Sequence, residues 1–153
     1  MAHVLIVDDD ELIAELASEI LIGAGHACGW ITRGEDALRL VRRRRPDILL
    51  LDNDMPGMSG PQVLRALRQS ADAYDLPVIM FTAVSGPADE DQARYNGAQD
   101  YIRKPFEYDT LVTKVDRVLH SSAARGHRSL AELMRQGVGR PAGPIDTRLR
   151  RAV

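Results

Sequence analysis

The chain predicts an α/β fold, a doubly wound parallel sheet of five strands with helices on both faces. Three observations carry this. Short apolar runs alternate with amphipathic helical stretches five times before residue 120. The runs around Val4, Leu49 and Ile79 are continuous rather than alternating, as in strands covered on both faces. Strands that alternate with helices in this way join through right-handed crossovers into one sheet.

The elements follow in order. Strands are expected over 3–7, 27–31, 47–52, 77–81 and 100–103. The first helix, over 11–24, places Leu12, Leu16, Ile20 and Ile13, Ala17, Leu21 on adjoining stripes. The second, 34–44, carries Ala37, Leu38 and Val41. The third, 60–69, carries Val63, Leu64 and Leu67. A more polar helix over 87–96 meets Asn96-Gly97, a pair suited to a left-handed cap. The fifth helix, 107–120, carries Leu111, Val112, Val115 and Leu119.

A length of 153 residues allows one domain with a real core. Hydrophobic content of 44% and charged content of 27% are those of a soluble globular protein. The single cysteine, Cys28, excludes an internal disulfide and fits a reducing, cytoplasmic setting. No apolar run is long enough for membrane insertion, and the start leads straight into a strand, leaving no room for a signal peptide. The net charge of −2 hides an asymmetry. Residues 1–120 hold 13 basic and 20 acidic side chains, whereas 121–153 hold 7 arginines against Glu132 and Asp146. The expected division is a globular domain over 1–120 and a basic, mostly flexible extension over 121–153. One short amphipathic helix is expected at 128–136, ahead of a Gly/Pro-rich stretch.

Doubly wound sheets bind ligands outside the carboxyl ends of their strands. Those ends here carry Asp8-Asp9-Asp10, Asp52, Thr82-Ala83 and Lys104-Pro105. Clustered carboxylates repel one another, and a hard cation relieves that. An oxygen-only donor set points to Mg²⁺, with Mn²⁺ as a substitute. Mg²⁺ keeps waters and takes phosphate oxygens, so a phosphoryl group is the natural substrate. Lys104 and Thr82 would hold its oxygens, and Asp52 would attack it to form an acyl phosphate.

Four blocks, "VLIVDDD", "DILLLDNDMPGMSG", "VIMFTA" and "DYIRKPF", occur in this order. Together they resemble the CheY-like receiver domains of response regulators over roughly residues 3–120. The resemblance implies a flavodoxin-like (βα)5 fold with strand order 2-1-3-4-5. It implies Asp52 as phosphoacceptor and Asp8 and Asp9 as the Mg²⁺-holding pair, Asp9 directly and Asp8 through water. Asp54 would offer its backbone carbonyl to the metal. Thr82 would be the switch hydroxyl, Tyr101 the switch aromatic and Lys104 the phosphoryl partner, followed by a cis bond to Pro105. Asp54 and Val84 stand where receivers tune phosphoryl lifetime.

The implied function is a phosphorylation-dependent switch of a two-component system, in a stand-alone receiver that catalyses only its own phosphorylation and dephosphorylation. A histidine kinase or a histidine phosphotransfer protein would donate the phosphoryl group. An output protein, or a second copy, would dock on the face within 87–120, with Arg94, Tyr95, Lys114 and Arg117 exposed.

Two other functions fit parts of the pattern. Asp52 and Asp54 also read as the D-x-D pair of a haloacid-dehalogenase-like phosphatase, but the acidic pair precedes Asp52 here, against the chain order of those enzymes. A regulator touching nucleic acid through the basic tail is the other, although residues 121–153 are too few for a helix-turn-helix. Several residues read as ordinary structure. Asp10 suits a helix start, Arg42–Arg45 and His120 suit helix ends, and Met55, Met58 and Met80 suit packing. His3 and His26 have no partners at metal spacing.

Overall fold

In the computed structural model, residues 1–83 and 97–136 are described, with side chains to residue 123. Five strands, β1 (His3–Val7), β2 (Ala27–Ile31), β3 (Ile48–Asp52), β4 (Val78–Thr82) and β5 (Asp100–Arg103), form one parallel sheet in the order β2-β1-β3-β4-β5. Four helices are described: α1 (Glu11–Gly23), α2 (Gly34–Arg43), α3 (Gly60–Arg68) and α4 (Tyr108–Gln136). This is the (βα)5 flavodoxin/CheY-like architecture, with the strand order that the resemblance implied.

The continuous apolar strands are explained by two buried layers. Leu5, Val7, Leu49, Leu51, Val78 and Met80 pack with Ala37, Val41, Val63, Leu64 and Leu67 of α2 and α3. Val4, Ile6, Ile48, Leu50, Ile79, Phe81 and Ile102 pack with Ala14, Ala17 and Leu21 of α1 and Leu111, Val115 and Val118 of α4. Successive strand residues point to opposite faces, so a strand covered twice needs apolar side chains throughout. Leu→Ala at such sites costs about 2–5 kcal/mol.

Local chemistry sets the helix starts. Asp10 caps α1 by accepting from the backbone N–H of Leu12 at 3.0 Å and of Ile13 at 3.4 Å. Ser59 and Gln62 form a reciprocal capping box at α3. A Cβ at Gly60 would overlap the backbone carbonyl of Asp52, so the strand end and the start of α3 touch only because this residue has no side chain.

Three sequence expectations about these elements differ from the structure. On α1 the buried line is Ala14, Ala17, Ser18 and Leu21, and Leu12 and Leu16 face solvent at 77% and 49% exposure. Small residues let the helix approach the sheet closely, which leaves the larger leucines outside. Strand β4 runs one residue later than expected, so Thr82 is its last member rather than the residue after it. The helix that begins at Tyr108 does not stop at His120; its backbone is helical to Gln136, which takes in the expected short helix at 128–136. The expected helix at 87–96 and Val84, Arg94 and Tyr95 lie outside the described residues.

The chain divides into two units, Met1–Leu119 and His120–Val153. The elements described above, up to the first turns of α4, make the first. Of the second, the described part is helical backbone.

Candidate functional site

The sheet register aligns the strand ends. Val7 pairs with Leu51, Asp52 with Phe81, and Thr82 with Arg103. Asp8, Asp52, Thr82 and Lys104 therefore meet at one edge, at the carboxyl ends where such sheets bind ligands. Asp8, Asp52 and Thr82 are buried, at 0%, 5% and 8% exposure, while Asp9 is exposed. Asp8, Asp9 and Asp52 each offer a carboxylate oxygen, and the three oxygens lie within 4.8 Å of one another.

One cation stands among them. Lys104 Nζ donates to Asp8 Oδ2 at 2.6 Å and to Asp52 Oδ1 at 3.1 Å. Backbone N–H groups share the load, Asp10 donating to Asp8 at 3.0 Å and Asp54 to Asp52 at 3.4 Å. Three carboxylates against one ammonium leave a surplus of negative charge. The Asp52 carboxyl is accordingly pushed up to about 7, by burial first, then by the hydrogen-bonding side chain of Asp9 and the charge of Asp8, with Lys104 pulling the other way. Burial disfavours the Lys104 ammonium, but Asp8 and Asp52 outweigh it and raise its pKa above the ordinary value. Such a donor set, all oxygen and overcharged, fits a Mg²⁺-type ion held by Asp8, Asp9 and Asp52.

Other candidate residues are placed as follows. Thr82 ends β4, and its backbone carbonyl accepts the N–H of Lys104 at 2.8 Å. The Lys104–Pro105 bond is cis. The Asp54 side chain is exposed beyond the strand end. Tyr101 lies mid-β5, partly buried against the α2–α3 layer. Lys114, expected to be exposed on the readout face, is partly buried and tied down. It donates to the Tyr101 carbonyl at 2.7 Å, pairs with Asp100 at 3.4 Å and sits 4.5 Å from the Tyr101 ring centroid. Arg117 is exposed. His26, which sequence left without an acidic partner, bonds Asp116 at 2.9 Å across 90 residues.

Two features had no sequence signal, one beside the site and one at the opposite edge of the sheet. Phe81 and Phe106 stack with centroids 5.6 Å apart and planes 9° from parallel. Arg68, the last residue of α3, donates to the carbonyls of Ala73, Tyr74, Leu76 and Gly97 and to Gln99 Oε1. It gathers the α3–β4 connection and the approach to β5 at one guanidinium. Phe106 lies 25 residues beyond Phe81, and Gly97 and Gln99 lie 29 and 31 beyond Arg68, so only proximity in the folded chain reveals these contacts.

A family model described as "Response regulator receiver domain" matches residues 4–116. The DNA-binding response regulator MtrA of Mycolicibacterium paratuberculosis is 41% identical over 113 residues, covering 74% of this chain and 49% of the relative. Protein PilH of Pseudomonas aeruginosa is 34% identical over 119 residues, covering 78% of this chain and 98% of PilH. The chain thus spans about half the length of MtrA and nearly all of PilH. Among solved structures, a response regulator from Chloroflexus aurantiacus superposes with a TM-score of 0.75 at 35% identity, covering 78% of this chain and 98% of that one. The chemotaxis protein CheY4 of Vibrio cholerae gives 0.73 at 31% identity, covering 77% and 98%.

Proposed function

Since this chain belongs to the response regulator receiver domain family, we propose that it is a phosphorylation-controlled switch whose acceptor is Asp52. The observation that carries the proposal is the overcharged cluster of Asp8, Asp9 and Asp52 bridged by a single ammonium. A phosphohistidine of a kinase or a phosphotransfer protein is the donor. A carboxylate oxygen of Asp52 bonds to phosphorus as the N–P bond breaks, and the electron pair returns to the imidazole.

Asp8, Asp9, Asp52 and the Asp54 carbonyl would hold Mg²⁺, or Mn²⁺ in its place, and the bound ion would neutralise charge on the phosphoryl oxygens. Lys104 gives up its bond to Asp52 for a phosphoryl oxygen while Asp8 keeps it in the site. The Thr82 hydroxyl donates to another oxygen, and Tyr101 follows it, shifting the population between two arrangements. Asp54 and Val84 tune the lifetime of the product. Output passes through the face within 87–120, where Arg117 is exposed, to a partner protein or a second copy. The stretch 121–153 is a basic extension of the receiver. No helix among the described residues is long and apolar enough to cross a membrane; a cytoplasmic location belongs to this reading.

The test is acyl-phosphate formation on the full chain from a small phosphoramidate donor with Mg²⁺, read by mass spectrometry. The label is expected on Asp52 and absent from Asp52→Asn and from samples in EDTA. A label that persists in Asp52→Asn refutes the reading. Steady multiple-turnover hydrolysis of a phosphomonoester would favour the dehalogenase-type phosphatase instead.

A further inference from the structure

Lys104 carries a long, flexible stem, so something must aim its ammonium. In the resting site the two carboxylates do so. As the phosphoryl group approaches Asp52, in the reading above, Lys104 gives up its bond to Asp52 and Asp8 alone is left to aim it. The backbone around Lys104 then decides where the ammonium points.

That backbone is tied to β4 on both sides of Lys104. Ahead of its side chain, the Lys104 N–H donates to the Thr82 carbonyl at 2.8 Å. Two residues later, Phe106 lays its ring on Phe81, 5.6 Å away and 9° from parallel. Phe81 is wholly buried and is the sheet partner of Asp52. The same ring stands 5.9 Å from Lys104 Nζ and walls the ammonium off on that side. Phe81 therefore stacks on the segment that carries Lys104, lies beneath the lysine head and neighbours the acceptor in the sheet.

We propose that Phe81 and Phe106 form an aromatic clasp that positions Lys104 for phosphoryl transfer. They are positioning residues, acting through the lysine, and the inference rests on the function proposed above. A small displacement of a charge-stabilising group slows a transfer step far more than it alters resting contacts. The clasp acts after the Lys104–Asp52 bond is surrendered, so its loss affects the transfer rate and spares Mg²⁺ binding to the resting site.

The experiment is a double-mutant cycle on the full chain, with saturating Mg²⁺ and a phosphoramidate donor. Phe106→Leu keeps apolar bulk without the ring, Phe106→Tyr keeps the ring, and Lys104→Ala removes the group being positioned. Phe106→Leu is expected to slow acyl-phosphate formation about tenfold. Phe106→Tyr restores the rate to within about twofold, since its ring stacks alike. In the Lys104→Ala background, Phe106→Leu has no further effect. Mg²⁺ affinity by calorimetry stays the same in Phe106→Leu.

Equal slowing with and without Lys104, or Mg²⁺ affinity falling in step with the rate, identifies ordinary packing and overturns the clasp. If circular dichroism finds Phe106→Leu unfolded, Phe81→Leu runs the same cycle from the other ring. An unmodified chain that takes no label on Asp52 overturns the proposed function and the clasp with it. Normal labelling of the unmodified chain with full speed in Phe106→Leu overturns the clasp alone.

Discussion

Replacing Asp52 with Asn removes a carboxyl group that the folded, metal-free chain holds protonated up to about pH 7, against 3.8 for an unperturbed group. Between those two values the folded state binds a proton that the unfolded state has released. Stability linked to this group is therefore fully present below 3.8 and is lost as pH rises through 7. Each pKa unit is worth about 1.4 kcal/mol, so the charged cluster costs the fold about 4 kcal/mol at pH 8 and about 2 kcal/mol at pH 5. The Asn variant lacks this term. Its Oδ1 still accepts from Lys104 Nζ, so what the variant loses is the carboxylate charge and not the acceptor. The advantage of Asp52→Asn over the unmodified chain should thus grow by about 2–3 kcal/mol between pH 5 and pH 8. Urea unfolding in EDTA at four pH values measures it. A difference that stays constant with pH refutes the reasoning, because it would mean that burial and the neighbouring acids do not raise the Asp52 carboxyl.

Three further outcomes are expected. Mg²⁺ at about 100 times its dissociation constant should stabilise the unmodified chain by about 2.7 kcal/mol and stabilise Asp9→Asn and Asp52→Asn much less, as read by thermal unfolding. Arg68→Met should cost about 2 kcal/mol in urea unfolding, because it leaves several partly buried carbonyls without their donor; a loss under about 0.5 kcal/mol would show that water replaces the guanidinium. Gly60→Ala should cost about 3 kcal/mol or more, since the new methyl meets backbone rather than a movable side chain, and an unchanged melting temperature would contradict that overlap.

The sheet was legible because burial on both faces forces continuous apolar runs, and Ile48–Leu51 is such a run. The acid cluster was legible because a parallel sheet brings all its strand ends to one edge, so Asp8, Asp52, Thr82 and Lys104 needed only their place in each strand. What escaped depends on distance in sequence. Arg68 reads as an ordinary cation at a helix end, and its acceptors at Gly97 and Gln99 are 29 and 31 residues away. Phe81 reads as core, and its pairing with Phe106 follows from a turn that no periodicity encodes. Leu12 and Leu16 misled because periodicity identifies an apolar stripe without saying which stripe meets the sheet. Lys114 misled because a lysine on a helix looks solvated until a carbonyl and a ring come within its reach.

The run Asp8-Asp9-Asp10 joins the end of β1 to the start of α1. Its three identical letters do three jobs: Asp8 is sealed against Lys104, Asp9 projects toward solvent with an oxygen facing the cluster, and Asp10 caps α1. None can stand in for its neighbour, although any alignment would score them alike. Deleting one of the three and restoring an aspartate elsewhere in the run leaves the text unchanged, so that experiment is invisible. Deleting Val7 instead keeps all three acids in order, yet it moves each to the post of the residue before it and turns the end of β1 inside out. Such a chain would pass inspection as a string and fail as a site.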